Sequence, residues 1–118
     1  MHSGLISDAA IAASSRHHPT NSGPQVGRLH YNSAGSGTYG SWLAASNNLG
    51  QWLQADLGNW TRITSVATQG RQDSNQWVKS YSLSTNNGIF FEFIKTDSGV
   101  KRVRNTGLLQ VAPVNCYC

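Results

Sequence analysis

The chain has 118 residues, a length that fits one domain with a single hydrophobic core and is too short for two. Only nine basic and five acidic residues are present, and the formal net charge of +4 favours anionic partners without choosing among them. No run approaches the about 20 apolar residues needed to cross a bilayer, and the first residues lack the layout of a signal peptide.

The N-terminal elements are predicted to be short. Residues 6–15 have the pattern of a helical turn, capped by Ser7 or Asp8 and followed by a strand. Residues 16–24 contain two prolines, a glycine and an asparagine, which indicates an exposed loop. A second loop, rich in Gly and Ser, is predicted for residues 31–40.

The middle of the chain has the alternation of strands. Apolar and polar residues alternate over residues 51–57, which predicts a strand that stops at a Gly58-Asn59 turn. Residues 63–68 are rich in β-formers and predict a further strand, after which residues 70–75 form a polar loop. Alternation resumes over residues 77–85. We expect Trp52 and Trp77 to pack in the core.

A hairpin is predicted next, because Asn86-Asn87-Gly88 tolerates the positive φ angles of tight turns and residues 89–94 can return as a strand. Strands separated by polar loops at these intervals predict an all-β antiparallel sandwich or barrel. The pattern then weakens, and no strand is predicted for residues 99–118.

The two cysteines, Cys116 and Cys118, are expected to lie in a peripheral tail. They are two residues apart and cannot join distant parts of the fold, and they show no zinc-ligand spacing with the histidines. A disulfide between them would close a small, strained ring. Each thiol is therefore expected to stay free or to pair between chains, which leaves a homo-oligomer open.

Several blocks match one known family in order and spacing: Ile6-Ser-Asp8 leading to Ile11-Ala-Ala-Ser-Ser15, Arg28-Leu29, Gln51-Trp-Leu-Gln-Ala-Asp-Leu-Gly58, Thr68-Gln-Gly-Arg71 and Gln76-Trp-Val-Lys-Ser-Tyr81. They resemble the discoidin domains, also called coagulation factor 5/8 type C domains. The resemblance implies a jellyroll β-sandwich over residues 4–98. Residues 99–118 lack the family's usual ending, an Ile-Arg-rich strand, a late Trp and a closing Gly-Cys pair, so they are expected to be a divergent or truncated tail.

The resemblance also implies an extracellular or cell-surface domain without catalytic activity, whose loops contact phospholipid, glycan, collagen or a protein receptor. Three loops should project from one end of the sandwich: residues 16–24 (loop 1), 29–42 (loop 2) and 70–76 (loop 3). The candidate ligand-binding residues all lie in these loops: His17, His18, Tyr31, Asn32, Tyr39, Trp42, Arg71, Gln72, Asp73, Ser74 and Asn75.

Carbohydrate is the first candidate ligand. Loop 3 offers a guanidinium, a carboxylate and two amides within five residues, a set that can match vicinal hydroxyls on a saccharide. It resembles the corresponding loop of the discoidin lectins, which bind galactose-type sugars. His17 and His18 also suit a sugar or an acidic ligand. The alternative is that Arg71 and Asp73 only pair with each other and hold the loop.

An anionic phospholipid surface is the competing ligand. The net charge of +4 favours it, as do Tyr39 and Trp42 in loop 2, because aromatic rings insert readily at a membrane interface. A protein or collagen receptor would leave no distinctive mark on the sequence.

Other functions find little support. The chain has no nucleophile elbow, metal-binding helix or phosphate loop, so we predict no enzymatic activity. We expect no nucleic-acid partner and no cofactor, and nothing in the sequence indicates a calcium site. Asn59-Trp60-Thr61 satisfies the N-glycosylation pattern, which makes Asn59 a glycosylation candidate.

Overall fold

The computed structural model describes residues 6–63, 66–86, 91–93 and 104–117. Two short 3-10 helices and five strands make up the regular structure of this part of the chain: η1 (Asp8–Ala10), β1 (Ile11–Ala13), η2 (Pro24–Gly27), β2 (Leu53–Ile63), β3 (Trp77–Asn86), β4 (Phe91–Phe93) and β5 (Arg104–Tyr117). The all-β prediction is confirmed. Neither of these two helices is long or apolar enough to cross a membrane.

The strands form one antiparallel sheet in the order β1-β2-β5-β3-β4. β5 therefore lies between β2 and β3, and its Val111 is opposite Leu53 on one side and Leu83 on the other. The prediction that residues 99–118 contain no strand and form a peripheral tail was wrong. β5 lacks the alternation on which that prediction relied, and it contains Pro113, which is a signal against a central strand.

The position of Pro113 in β5 explains how a proline is accommodated. The pairing of β5 with β2 ends at Val111, and Pro113 is paired only with Tyr81 of β3. A residue between two strands always directs its N–H at one of them, whereas a residue with one neighbouring strand can direct it away from the ladder. The missing N–H group of a proline is therefore less disruptive at this position.

β2 continues through the predicted Gly58-Asn59 turn. Its register with β5 shifts between Asp56 and Thr61, so that residues 57–60 of β2 lie opposite Gly107 alone. Gly58 has a φ of +73°, and its N–H donates to the Asp56 carboxylate at 2.8 Å. The turn residues thus make a bulge inside one strand, and the predicted strand end was wrong. The separate strand over residues 63–68 was also wrong, because residues 66–68 are not in a strand.

Other local predictions are confirmed. A helical turn and a strand follow Ser7 as η1 and β1, although no side-chain hydrogen bond caps η1. The alternating residues 77–85 lie in β3. β3 pairs antiparallel with β4, as the predicted hairpin requires, and Asn86 is opposite Phe91. The turn residues 87–90 and residue 94 of the predicted return strand lie outside the described residues.

The described core consists of small and medium apolar side chains from three elements: Ile11 of β1, Val26 of η2 and Ala55 of β2. η2 packs against β1, and η1 packs against β2. Trp52 is half-buried, but 49% of Trp77 is exposed. The prediction that Trp77 packs in the core was wrong. Trp77 is the first residue of β3 and lies past the end of β2 in the sheet, so only Tyr117 of β5 is opposite it.

Candidate functional site

The three candidate loops are joined to one another by hydrogen bonds. The Tyr39 N–H of loop 2 donates to the Asn21 carbonyl of loop 1 at 2.8 Å. The Gly40 N–H of loop 2 reaches the Asp73 carboxylate of loop 3 at 3.4 Å. Loops 1 and 3 are therefore linked to each other through loop 2.

Loop 2 approaches loop 3 closely at Gly40. A Cβ atom on Gly40 would lie 2.9 Å from the Cβ of Gln72, which is shorter than any ordinary packing distance. Glycine is therefore needed at this crossing. Two side-chain amides of the loop 3 region support the crossing: Gln72 accepts from the Ser33 N–H at 3.4 Å, and Gln69 accepts from the His30 N–H at 3.0 Å.

Loop 1 folds around the buried hydroxyl of Ser22. This hydroxyl accepts from the His18 N–H at 2.7 Å and donates to the His18 carbonyl at 3.2 Å. The side chains of His17 and His18 are exposed. The His17 ring lies beside loop 2, with its centroid 6.4 Å from that of Tyr39. Loop 1 thus presents two imidazoles, one of them next to the aromatic ring of loop 2.

Arg71 is the most connected side chain of the site. Its Nε and Nη2 donate to the two carboxylate oxygens of Asp73 at 2.5 and 3.1 Å, and its Nη1 donates to the Gln76 side chain at 2.7 Å. The guanidinium also lies over the Tyr39 ring, 4.6 Å from the centroid, which is a cation–π contact. The Arg71–Asp73 pairing that the sequence offered as an alternative is present, and it holds loop 3.

The pairing shifts the pKa values of both partners. The hydrogen bond from Arg71, together with its positive charge, lowers the pKa of the Asp73 carboxyl group below its ordinary value. The hydrogen bond to Asp73 raises the pKa of Arg71. Both groups are therefore charged at neutral pH, and the pair is an ion pair.

The predicted site residues divide into a joined group and an exposed group. Arg71 contacts both Tyr39 and Asp73, whereas the Tyr31 hydroxyl bonds to Thr38 within loop 2 at 3.1 Å. The remaining polar residues of the predicted set have exposed side chains: His17, His18, Asn32, Gln72, Ser74 and Asn75.

Trp42 has a different environment from the other predicted residues. Its indole N–H donates to the Ser15 carbonyl at 2.9 Å, and its side chain is half-buried. Its Cβ would lie 3.2 Å from a Cβ on Gly27 of η2. These contacts fix the indole against the body of the domain.

A groove runs beside loop 3 that the sequence analysis did not identify. Its volume is about 80 Å³, and its lining includes Trp42, Leu43, Asn47, Gln69, Gln76 and Trp77. Gln69 and Gln76 belong to two of the sequence blocks that resemble the family, and this resemblance was the sequence signal that could have identified them. Asn47 had no comparable signal.

The surface of the three loops is polar. The exposed large apolar side chains of the described residues lie outside the three loops, although two of them, Trp77 and Val78, directly follow loop 3: Leu49, Trp60, Trp77, Val78 and Tyr81. The large apolar side chains of loop 2, Leu29, Tyr31, Tyr39 and Trp42, are half-buried. A ligand that approaches these loops therefore meets mainly hydroxyl, amide, imidazole and carboxylate groups.

The acidic residues near the loops are dispersed. Asp8 pairs with Arg28 at 2.6 Å, and Asp73 pairs with Arg71. Over residues 6–63, 66–86, 91–93 and 104–117, no three His, Cys, Asp or Glu side chains lie close enough together to hold a metal ion.

Comparisons with known proteins agree with this architecture. The family model of the F5/8 type C domain matches residues 10–111. Two solved structures of discoidin II from Dictyostelium discoideum, one described as wild-type and one as recombinant, superpose on 91% of the chain with TM-scores of 0.68 and 0.69 and identities of 17% and 19%. The chain spans about half the length of those proteins, 49% and 50%. It has the discoidin-type β-sandwich fold, and it belongs to the F5/8 type C domain family.

Proposed function

We propose that this domain is a non-catalytic, extracellular adhesion module whose three loops bind a cell-surface carbohydrate. One observation carries the proposal: loop 3 exposes amide and carboxylate groups while its Arg71 is anchored by Asp73, Gln76 and Tyr39. Membership of the F5/8 type C family supports a binding role.

The exposed groups suit the hydroxyls of a sugar. A carboxylate accepts hydrogen bonds from hydroxyls, and a side-chain amide both donates and accepts. Gln72, Asp73 and Asn75 offer these groups on loop 3, and His17 adds an imidazole from loop 1. Among the described residues, the Asn75 side chain has no hydrogen-bond partner, so its amide is available to a ligand.

The internal contacts of Arg71 favour binding indirectly. Loop 3 is held by the bidentate pair with Asp73 and by the stacking of Arg71 on Tyr39. A loop that is already ordered does not have to be ordered by its ligand, which reduces the entropic cost of binding. We therefore assign Arg71 a positioning role and place direct sugar contacts at its exposed neighbours.

A glycan array with matched asparagine variants tests the proposal. We expect wild-type protein from bacteria to bind a subset of glycans and Asn75→Ala to bind them about tenfold more weakly, the loss of about 1.4 kcal/mol expected for one or two hydrogen bonds. Asn59→Ala makes the same change in the β2 bulge and should bind as the wild type does. An array without any bound glycan would reject the carbohydrate ligand, and equal binding by Asn75→Ala and wild type would reject the placement at loop 3.

An anionic phospholipid surface is the second candidate ligand. The observation that favours it is the pair of exposed apolar residues beside loop 3, Trp77 and Val78, in a chain with a formal net charge of +4. Apolar insertion is not screened by salt, whereas attraction between surface charges is.

Co-sedimentation with phosphatidylserine vesicles separates the two candidates. Binding that persists at high salt and is lost in Trp77→Ala would favour the membrane surface. Trp77 is the sharper target because Trp42 is fixed by its bond to Ser15, so Trp42→Ala would also disturb the loops. The polar loop surface leads us to expect no vesicle binding by the wild type at high salt.

A further inference from the structure

The bulge of β2 displays a segment that the loop surface does not use. Residues 57–60 lie opposite Gly107 alone, so several of these residues are extruded from the ladder. Gly58 takes a positive φ, and its N–H is held by the Asp56 carboxylate. A Cβ at Gly58 would meet no atom within 4 Å, which shows how open this part of the bulge is.

The bulge holds the first two residues of the one Asn-x-Ser/Thr sequence of the chain, Asn59-Trp60-Thr61, and Thr61 resumes the ladder opposite Thr106. All three side chains are exposed. The Asn59 side-chain amide has no hydrogen-bond partner among the described residues, and the Thr61 hydroxyl donates to the Asn59 carbonyl at 3.0 Å, which folds the hydroxyl back toward Asn59. The acceptor residue Asn59 is therefore accessible and outside the regular ladder, and the Thr61 hydroxyl lies close to its backbone.

We propose that Asn59 is N-glycosylated when the chain passes through a eukaryotic secretory pathway. The donor class is an oligosaccharide joined through a diphosphate to a lipid. The Asn59 side-chain nitrogen forms a bond to C1 of the terminal N-acetylglucosamine and loses one proton, while the bond from C1 to the diphosphate breaks and the lipid diphosphate leaves.

The glycan would lie far from the candidate ligand surface. Asn59 is level with Gly107 of β5, whereas Trp77, which follows loop 3 directly, is opposite Tyr117. Ten residues of extended strand separate those two levels, which corresponds to roughly 30 Å. A glycan at Asn59 therefore leaves the three loops open.

The same glycan would cover an exposed indole. Trp60 is 63% exposed and adjoins Asn59 in the bulge. A large hydrophilic group on the neighbouring residue shields such apolar surface from other proteins.

Mass spectrometry of the secreted chain tests the proposal without any ligand. The full 118-residue chain is expressed behind a secretion leader in cultured animal cells, and the peptide containing Asn59 is analysed before and after treatment with a peptide N-glycosidase. We expect an N-linked glycan on this peptide and conversion of Asn59 to aspartate on its enzymatic removal.

Matched variants identify the acceptor. The glycan should disappear completely in Asn59→Gln and in Thr61→Val, and it should persist, at equal or lower occupancy, in the conservative variant Thr61→Ser. A secreted wild-type chain without glycan at Asn59 would overturn the proposal. So would a glycan that remains in Asn59→Gln.

Discussion

At the scale of single residues, Arg71 connects the features of the loop surface. Its guanidinium binds Asp73 and Gln76 along its edge and covers Tyr39 with its face. The sequence indicated that Arg71 was important, but residue types alone could not say whether its donors serve a ligand or the loop. That choice depends on loop 2 crossing at Gly40, which places Tyr39 beneath the guanidinium.

Removal of this guanidinium should loosen the loops and cost modest stability. In Arg71→Met we expect the free energy of unfolding to fall by about 1 to 2 kcal/mol, the sum of a partly exposed ion pair and a cation–π contact. Urea denaturation measures the change. Arg62→Met is the control, because Arg62 is exposed on β2, and its effect should stay within about 0.5 kcal/mol. Equal losses in both variants would contradict the role assigned to Arg71.

The Asp73 carboxyl group of the same ion pair makes the stability of the fold depend on pH. Asp73 has a lower pKa in the folded chain than in the unfolded chain, so the pair stabilises the fold above the unfolded pKa, and this contribution is lost as the pH falls through the folded pKa. In Arg71→Met the pKa of Asp73 should rise. Carboxyl-carbon NMR titration of wild type and variant measures it, and identical Asp73 titration curves would show that Arg71 does not cause the shift.

At the scale of elements, alternation and turn residues predicted η1, β1, β3 and the β3–β4 pairing. Those elements are local, and their sequence signals are local as well. β5 could not be predicted in this way, because its place in the sheet comes from pairing with β2 and β3, which are distant in sequence. The β2 bulge was missed for a related reason. Gly58 and Asn59 are residue types typical of turns, but β2 pairs with β5 on both sides of the bulge, and this pairing keeps it within one strand.

The central position of β5 predicts where a second proline is tolerated. Gln110 pairs with Gln54 on one side and Ser84 on the other, whereas Asn115 pairs only with Ser80. Gln110→Pro should therefore lower the free energy of unfolding by about 1 to 3 kcal/mol more than Asn115→Pro, because an N–H between two strands always faces a partner strand and its loss leaves a buried carbonyl without a donor. Urea denaturation of the two variants provides the comparison. If Asn115→Pro were the more damaging substitution, the strand order would need revision.

At the scale of the whole molecule, the sheet separates two surfaces with different chemistry. Loops 1, 2 and 3 form a polar, hydrogen-bonded surface near the first residue of β3, which pairs with the C-terminal end of β5. The β2 bulge, with the exposed Asn59 and Trp60, lies near the N-terminal end of β5. The family resemblance in the sequence indicated which loops belong together. The contacts that join them, at Asn21, Gly40 and Gln72, link residues far apart in sequence and have no local signature.

The most direct test of the account is to map ligand contacts on the folded domain. Isotope-labelled protein is titrated with galactose, and backbone amide shifts are followed by NMR. We expect saturable shifts concentrated in loops 1 and 3, with the largest near Asn75, and none in residues 55–62 around the β2 bulge. Saturable shifts confined to the bulge, or the absence of any saturable shift in the three loops, would contradict the claim that these loops form a carbohydrate-binding surface.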